Sequence, residues 1–167
     1  RRIRKITLDG TVTTISGSGS SSLIDGLPSN TGFNSPCEIA FDSQGNLFVT
    51  DTGNHAIRKL TFTNNVWVAT TVAGGLGAGF NDGAASEALF SHPKGIVLDS
   101  SDNIYVSERS NHRIRKISSD GDVSTVAGTG DSLFRDGAVR LAFFRSPFGM
   151  AKDASGDIYI ADRGNNR

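Results

Sequence analysis

The stretch SNHRIRKISSDGDVSTVAGTG, residues 110–130, decides the fold because its pattern occurs three times in the chain. RRIRKITLDGTVTTISGSG opens the sequence at residues 1–19, and GNHAIRKLTFTNNVWVATTVAGGLG occupies residues 53–77. Each copy contains an Ile-Arg-Lys run, a polar turn and a second β-branched run that closes on glycine. Two such runs around a turn are typical of a β-hairpin. The sequence therefore predicts a β unit that repeats along the chain.

Other landmarks recur in the same register. A Phe-x-x-Pro motif, an Asp-Gly pair and an Asn in a turn all step by 57 and then 54 residues (Phe33, Phe90 and Phe144; Asp25, Asp82 and Asp136; Asn54, Asn111 and Asn165). Internal repetition at this period is typical of stacked or radially arranged units. The chain, residues 1–167, is thus expected to be one segment of three repeats, about 2–55, 56–112 and 113–167.

Each repeat is predicted to form four strands. The first follows the Pro, and a polar hairpin turn leads to an aromatic and β-branched second strand. Ile-Arg-Lys forms the third strand, and the run that ends in glycine forms the fourth. Serial four-stranded antiparallel sheets predict an all-β fold, a β-propeller segment in which each sheet is a blade and the first strand is innermost.

The segment is expected to be incomplete as a ring. It begins at a third strand and ends after a second, so it holds two complete blades and two complementary half-blades. Known propellers need at least about four blades. Two interpretations remain open: the segment is part of a larger propeller, or another copy of the chain completes the ring in a two-fold assembly. In both, the predicted partner is protein.

Bulk composition excludes some functions. Lys plus Arg and Asp plus Glu number 17 each, so no net charge attracts nucleic acid or an anionic membrane. No apolar run approaches ~20 residues, so no membrane insertion is expected. Cys37 is the only cysteine, which rules out an internal disulfide, and its role is left open.

The repeat resembles the NHL repeat, named after its Asn-His-Leu signature. The signature stands here as Asn54-His55-Ala56, Asn111-His112-Arg113 and Asn165-Asn166-Arg167. The long form, with Ala-Gly-x-Gly, Asp-Gly and Phe-x-x-Pro, resembles NHL repeats of large multidomain proteins that are often at the cell surface. The resemblance implies a propeller of usually about six blades. It also implies a choice among protein-binding scaffolds, RNA-binding propellers, and lyases or lactonases.

Basic residues of the third strand are the first candidate site. If these residues lie at one distance from the propeller axis and at one height along it, they form a basic docking arc. Trp67 of the fourth strand could add a contact to this arc. The basic residues are Arg4, Lys5, Arg58, Lys59, Arg113, Arg115 and Lys116. The alternative is structural: the stems cover the strand, and the charged heads meet Asp51, Asp162 and loop acids.

Metal ligands are the second candidate. Asp42, Asp99 and Asp153 end the innermost strands and could bind calcium through their oxygens, and His92 occupies a position that the other repeats fill with Ser. A zinc or calcium site would need further converging ligands. The alternative is that each Asp caps its hairpin turn. His55 and His112 recur with the repeat, so a turn or packing role is expected for them.

The interpretation favoured is a non-catalytic interaction module, a rigid scaffold for protein assembly within a larger secreted or cell-surface protein, with no catalytic residue and no cofactor. Almost every candidate catalytic residue recurs with the repeat and is explained by it. Two alternatives stay open: a propeller enzyme of the lyase or lactonase type with a metal in the central channel, and an RNA-binding propeller. Balanced charge and the lack of interleaved aromatics argue against nucleic acid.

Overall fold

The computed structural model describes residues 1–167, in thirteen strands and two short 3₁₀ turns. In chain order the strands are β1 Ile3–Ile6, β2 Val12–Ser16, β3 Pro36–Phe41, β4 Leu47–Asp51, β5 Ala56–Thr63, β6 Val66–Gly74, β7 Gly83–Ala84, β8 Pro93–Leu98, β9 Ile104–Glu108, β10 Arg113–Ile117, β11 Asp122–Ala127, β12 Met150–Lys152 and β13 Ile158–Ile160. The 3₁₀ turns are Thr52–Asn54 and Arg163–Asn165. No helix is long and apolar enough to cross a bilayer.

The strands form four antiparallel sheets that follow one another along the chain. Blade 1 has the order β3-β4-β5-β6, and blade 2 the order β8-β9-β10-β11 with β7 added outside β11. The N-terminal half-blade is β1–β2, and the C-terminal half-blade is β12–β13. The innermost strands β3, β8 and β12 are neighbours in space. The prediction of two complete and two half blades of a propeller is confirmed.

The spacing of 57 rather than 54 residues has a local cause. In blade 1 the hairpin β5–β6 is longer than β10–β11, and its ladder continues to Thr63 opposite Val66. Asn64 and Asn65 form the two-residue turn with φ of 50° and 63°. Both angles suit a type I′ turn, whose twist matches the strands that it joins.

Hydrophobic packing between consecutive blades forms the core. The largest cluster joins Phe48 and Ile57 of blade 1 to Phe90, Ile96 and Val106 in and beside blade 2. Two smaller clusters repeat this contact between β1–β2 and blade 1 and between blade 2 and β12–β13. Each fully buried Ile or Phe contributes roughly 1.5–3 kcal/mol of transfer free energy. Every blade therefore buries part of its apolar surface against a neighbouring blade.

Candidate assembly surfaces at the two ends of the blade series

A buried arginine holds each complete blade to the connector that precedes it. Arg58 on β5 has no exposed surface, and its guanidinium donates to Asp51 Oδ2 at 2.9 Å and to Asp25 Oδ1 at 2.7 Å. It also donates to the carbonyl oxygens of Gly32 and Ile24. The guanidinium carbon lies 5.0 Å from the centre of the Phe33 ring. One side chain thus joins a strand, a turn and a connector.

Blade 2 repeats this arrangement with different acids. Arg115 is also fully buried and pairs with Glu108 at 2.9 Å and with Asp82 at 2.5 Å. It donates to the carbonyl oxygens of Leu89 and Asn81. Burial raises the pKa of Glu108, and the charge of Arg115 is the largest opposing effect. At this acid the charge of Arg115 therefore partly offsets the effect of burial.

These contacts correct the expectation of an exposed basic arc at Arg58 and Arg115. Successive residues of a strand point to opposite faces, so Arg58 lies against the preceding connector while Lys59 lies over Phe48 on the other face. The alternative, in which loop acids meet the basic heads, is what the structure shows at both positions. Asp25 and Asp82, from the Asp-Gly pairs that mark the repeat, supply those loop acids.

The other basic candidates lie in different surroundings. Lys59 Nζ is 3.5 Å from Asp42, Lys116 Nζ is 5.8 Å from the Tyr105 ring centre, and Arg113 donates to the Thr129 carbonyl. Arg4 and Lys5 of the N-terminal half-blade are exposed. Their blade 1 equivalents are Arg58 and Lys59. The same sequence motif is therefore buried in the blades and open at the N-terminal end.

The repeated carboxylates at the ends of the innermost strands cap their hairpins, as the alternative interpretation predicted. Asp42 Oδ1 accepts the backbone N–H groups of Gln44 and Asn46, and Asp99 and Asp153 do the same in their own turns. No group of three or more His, Cys, Asp or Glu side chains is arranged to hold a metal ion. These carboxylates therefore serve the turns.

Histidines join consecutive blades, which confirms a packing role for His55 and His112. His55 Nδ1 accepts the backbone N–H of His92 at 3.1 Å, and His112 Nδ1 accepts that of Ser146 at 3.0 Å. His92 packs edge-on against His55, with 4.6 Å between ring centres. Burial lowers the pKa of all three histidines. Each of these two hydrogen bonds requires the neutral ring, because a protonated Nδ1 cannot accept.

An apolar groove lies between the N-terminal half-blade and blade 1. Ile39 and Phe41 on its floor are 46% and 63% exposed, whereas the equivalent Ile96 and Leu98 of blade 2 are 2% and 9% exposed. The groove has a volume of about 710 Å³, and Trp67 lies in its wall beside Phe62, with 5.2 Å between ring centres. It lies where β1–β2 has no inner strands. We call it the N-terminal groove.

At the opposite end, β13 has a free edge and an uncovered face. Tyr159 is 60% exposed, whereas the equivalent Phe48 of blade 1 is 6% exposed. Asp162 accepts the N–H of Arg145 and the side-chain amide of Asn165, as Asp51 does from Asn34 and Asn54. It has no guanidinium partner.

Asp162 lies in a cavity that matches the arginine site of the complete blades. The cavity has a volume of about 310 Å³, and Asp136, Phe144 and Ile160 line it with Asp162. Asp136 is the equivalent of Asp25 and Asp82, and Phe144 of Phe33 and Phe90. Arg135 and Arg167 also line the cavity, where Arg135 lies over the Phe143 ring and Arg167 over the Phe134 ring, and neither forms an ion pair with either acid. We call this cavity the acid slot.

Three further arginines form a surface that the sequence did not predict. Arg109, Arg145 and Arg163 line one concave region of about 360 Å³ with Ser146, and none of them forms an ion pair. Thr52 and Asn34 occupy equivalent positions in blade 1. Arg109 and Arg163 share one position of the repeat, so an arginine where blade 1 has Thr52 or Asn34 was the only signal in the sequence.

Comparison with known sequences gives matches along the chain. The NHL repeat profile matches residues 33–60 and 90–117. The chloroplastic protein SUPPRESSOR OF QUENCHING 1 of Arabidopsis thaliana is 31% identical over 95% of this chain and 16% of its own length. NHL repeat-containing protein 2 of Gallus gallus is 39% identical over 57% of this chain and 13% of its own length. The chain thus spans about a sixth or less of these relatives.

Solved structures share the fold. An auxiliary nutrient binding protein of Bacteroides thetaiotaomicron superposes with a TM-score of 0.78 over 99% of this chain and 41% of its own, at 24% identity. A streptogramin B lyase superposes with a TM-score of 0.63 over 99% and 42%, at 14% identity. At these identities the likeness shows the fold alone. The matched segments and the blade architecture together show that the chain contains NHL repeats folded as blades of a β-propeller.

Proposed function

We propose that this chain is a non-catalytic structural and interaction module, a rigid propeller scaffold that assembles with protein through its exposed blade faces. One observation carries the proposal: the faces exposed at the ends are equivalent to faces buried between the complete blades. Ile39 and Tyr159 are exposed, whereas the equivalent Ile96 and Phe48 are each covered by a neighbouring blade. An exposed apolar surface of this kind marks a protein contact.

The repeated ionisable groups support a structural role. Arg58 and Arg115 are engaged by buried acids, Asp42 and Asp99 by turn amides, and His55 by a backbone N–H. A group that already holds its partners is not available to activate a substrate. The supported function of these residues is therefore to hold the blades together.

The host is proposed to be a larger secreted or cell-surface protein. This rests on the resemblance of the long repeat to NHL repeats of large multidomain proteins. Fractionation of cells that express the complete protein, with antibody detection of this segment, tests it, and recovery only in the cytosol contradicts it.

Native mass tests the assembly function. Light scattering coupled to size-exclusion chromatography should give more than one chain for the purified protein. The enzyme alternative requires a metal ion in the central channel, so elemental analysis of the same fractions provides the counter-test. A monomer that carries a stoichiometric metal would overturn the proposal in favour of the enzyme.

A second candidate function is binding of a phosphate-bearing ligand, favoured by the three unpaired arginines of the concave surface. Guanidinium groups bind phosphate oxygens in pairs, and converging arginines without acids attract anions. Titration with inorganic phosphate, monitored by calorimetry, should detect binding that Arg145→Ala weakens. Arg140→Ala, a change at another exposed arginine, is the matched control. Equal binding by all three proteins would remove this candidate.

A further inference from the structure

The innermost strand of each blade has one edge without a partner strand in its own sheet, and this edge faces the central channel. A backbone N–H on such an edge needs an acceptor other than a carbonyl of the ladder. The N–H of Ile96 in β8 is one of these donors, and it binds Glu38 Oε2 of blade 1 at 2.7 Å. A side chain of one blade therefore supplies the acceptor for an edge donor of the next.

Glu38 departs from the repeat, because Gly95 and Gly149 stand at the equivalent positions. In blade 2 a Cβ atom at Gly95 would clash with the carbonyl oxygen of Phe148 and would lie 2.8 Å from Ser107 Oγ, so blade 2 admits no side chain there. The carboxylate between the innermost strands is thus particular to blade 1. It is not explained by the requirements of the repeat.

A bulge in β8 leaves the Ile96 donor for this carboxylate. The ladder between β8 and β9 shifts register between Pro93 and Ile96. Within the bulge, the N–H of Gly95 donates to Ser107 Oγ at 2.8 Å. Because the hydroxyl already satisfies the donor of Gly95, the N–H of Ile96 is the one that the bulge presents to Glu38.

Backbone N–H groups, and not a cation, hold the carboxylate of Glu38. The side chain forms no ion pair. Burial raises the pKa of this carboxyl, and hydrogen bonds from the backbone N–H groups of Ile96 and Met150 oppose the rise. A carboxylate can accept several hydrogen bonds, so one group binds donors from both β8 and β12. Donors of two neighbouring strands therefore converge on one anionic group.

The surroundings of this edge favour an anion. After burial, the charges of Arg109 and Lys94 are the causes that lower the pKa of His92, so the potential at this end of β8 is positive. Lys94 Nζ lies 5.3 Å from the centre of the Phe148 ring, at the start of the next innermost strand. A positive potential beside a channel raises the local concentration of anions.

We propose that the channel-facing edges of β8 and β12 form a carboxylate-binding site, which Glu38 occupies as an internal ligand and which a small monocarboxylate occupies when Glu38 is displaced or absent. The ligand class follows from the occupant, because N–H groups that hold the Glu38 carboxylate recognise the carboxylate itself. Formate and acetate consist of this group and little else. The inference is independent of the proposed assembly function.

Chemical rescue of Glu38→Gly, which introduces the residue of the other two repeats, tests the site. Loss of the charge-assisted hydrogen bond from Ile96 alone should lower Tm by roughly 3–12 °C. Sodium formate, compared with sodium chloride at the same ionic strength, should restore much of this loss and should saturate. Glu87→Gly, at an exposed glutamate of the connector, is the matched control and should respond to formate as the unaltered protein does.

Amide chemical shifts locate the bound anion. In isotope-labelled Glu38→Gly, formate should shift the amide signals of Ile96 and Met150 in a saturable way. The unaltered protein should bind formate at least about 10-fold more weakly, because Glu38 competes at a high effective concentration. Glu38→Gln keeps a neutral oxygen for the Ile96 donor, so it should be more stable than Glu38→Gly and should gain nothing specific from formate.

Saturable rescue of Glu38→Gly, with shifts at Ile96 and Met150, supports the site. A lower Tm that formate does not restore shows that Glu38 is only a structural brace and overturns the inference, as does an equal response of all four proteins to formate. If Glu38→Gly is unfolded in chloride, refolding in formate alone is the supporting result, and failure to refold in both salts is the contrary one. Native mass does not enter these measurements, so the assembly function is judged separately.

Discussion

Replacing Arg58 with methionine should destabilise the fold by about 3–5 kcal/mol, the usual cost of removing one partner of a buried ion pair. Methionine retains most of the apolar stem but removes every donor. It leaves Asp51 buried without its cation, and it leaves the carbonyl oxygens of Gly32 and Ile24 without this donor. The large cost arises because the remaining charge is far from water, not because the pair itself is strong.

A second substitution separates the cost of the uncompensated Asp51 charge from the cost of the lost hydrogen bonds. Asp51 keeps the Asn34 N–H and the Asn54 amide as donors when Arg58 is absent. If uncompensated charge is the main cost, Arg58→Met combined with Asp51→Asn should be more stable than Arg58→Met alone. For a chain of this size, 3–5 kcal/mol corresponds to a fall in Tm of roughly 6–20 °C.

Chemical and thermal unfolding followed by circular dichroism measures both effects. Arg109→Met, which removes an exposed and unpaired arginine, should change the free energy of unfolding by about 0.5 kcal/mol or less. The reasoning is refuted if Arg58→Met costs less than about 1 kcal/mol, or if Asp51→Asn makes the single variant worse.

Further predictions follow from the contacts between blades. Burial is the main cause that lowers the pKa values of His55 and His112 from 6.5. The charge of His92 lowers the pKa of His55 further. At His112, the charges of Arg113 and Arg145 also lower the pKa, and that of Asp162 raises it. The unfolded chain therefore binds more protons, so stability is full above about pH 6.5 and falls as the pH drops through the lower folded values. Replacing both histidines with Asn should flatten the dependence of Tm on pH between 7 and 5, and an unchanged slope would contradict this. Ser107→Ala removes the hydroxyl that accepts the Gly95 N–H and donates to the Phe148 carbonyl. It should lower the free energy of unfolding, measured in urea, by roughly 1–3 kcal/mol. An equal cost for Ser155→Ala, at an exposed serine, would show that the hydrogen bonds of Ser107 are unimportant. A chelator should leave Tm unchanged because turn amides already occupy the carboxylates of Asp42, Asp99 and Asp153, and a fall of several degrees would indicate a structural cation.

Much of the architecture was predictable because hairpins are local. Strands β3–β4 and β10–β11 join residues a few positions apart, so the polar turns and β-branched runs indicate the pairing directly. The repeat then carried this assignment to every blade, including the two half-blades. Hairpin capping by Asp42 was likewise open to prediction, because its partners lie within four residues.

The environment of the Ile-Arg-Lys motif was decided by the tertiary structure. Both faces of a propeller strand pack on a neighbouring blade, so alternation cannot tell a buried arginine from an exposed one. Arg58 is buried because Asp25, 33 positions away, and Asp51 converge on it, whereas Arg4 is exposed because no such acids lie beside β1. A side chain's position in the strand follows from local hydrogen bonding, but its burial depends on which distant residues the fold sets against it.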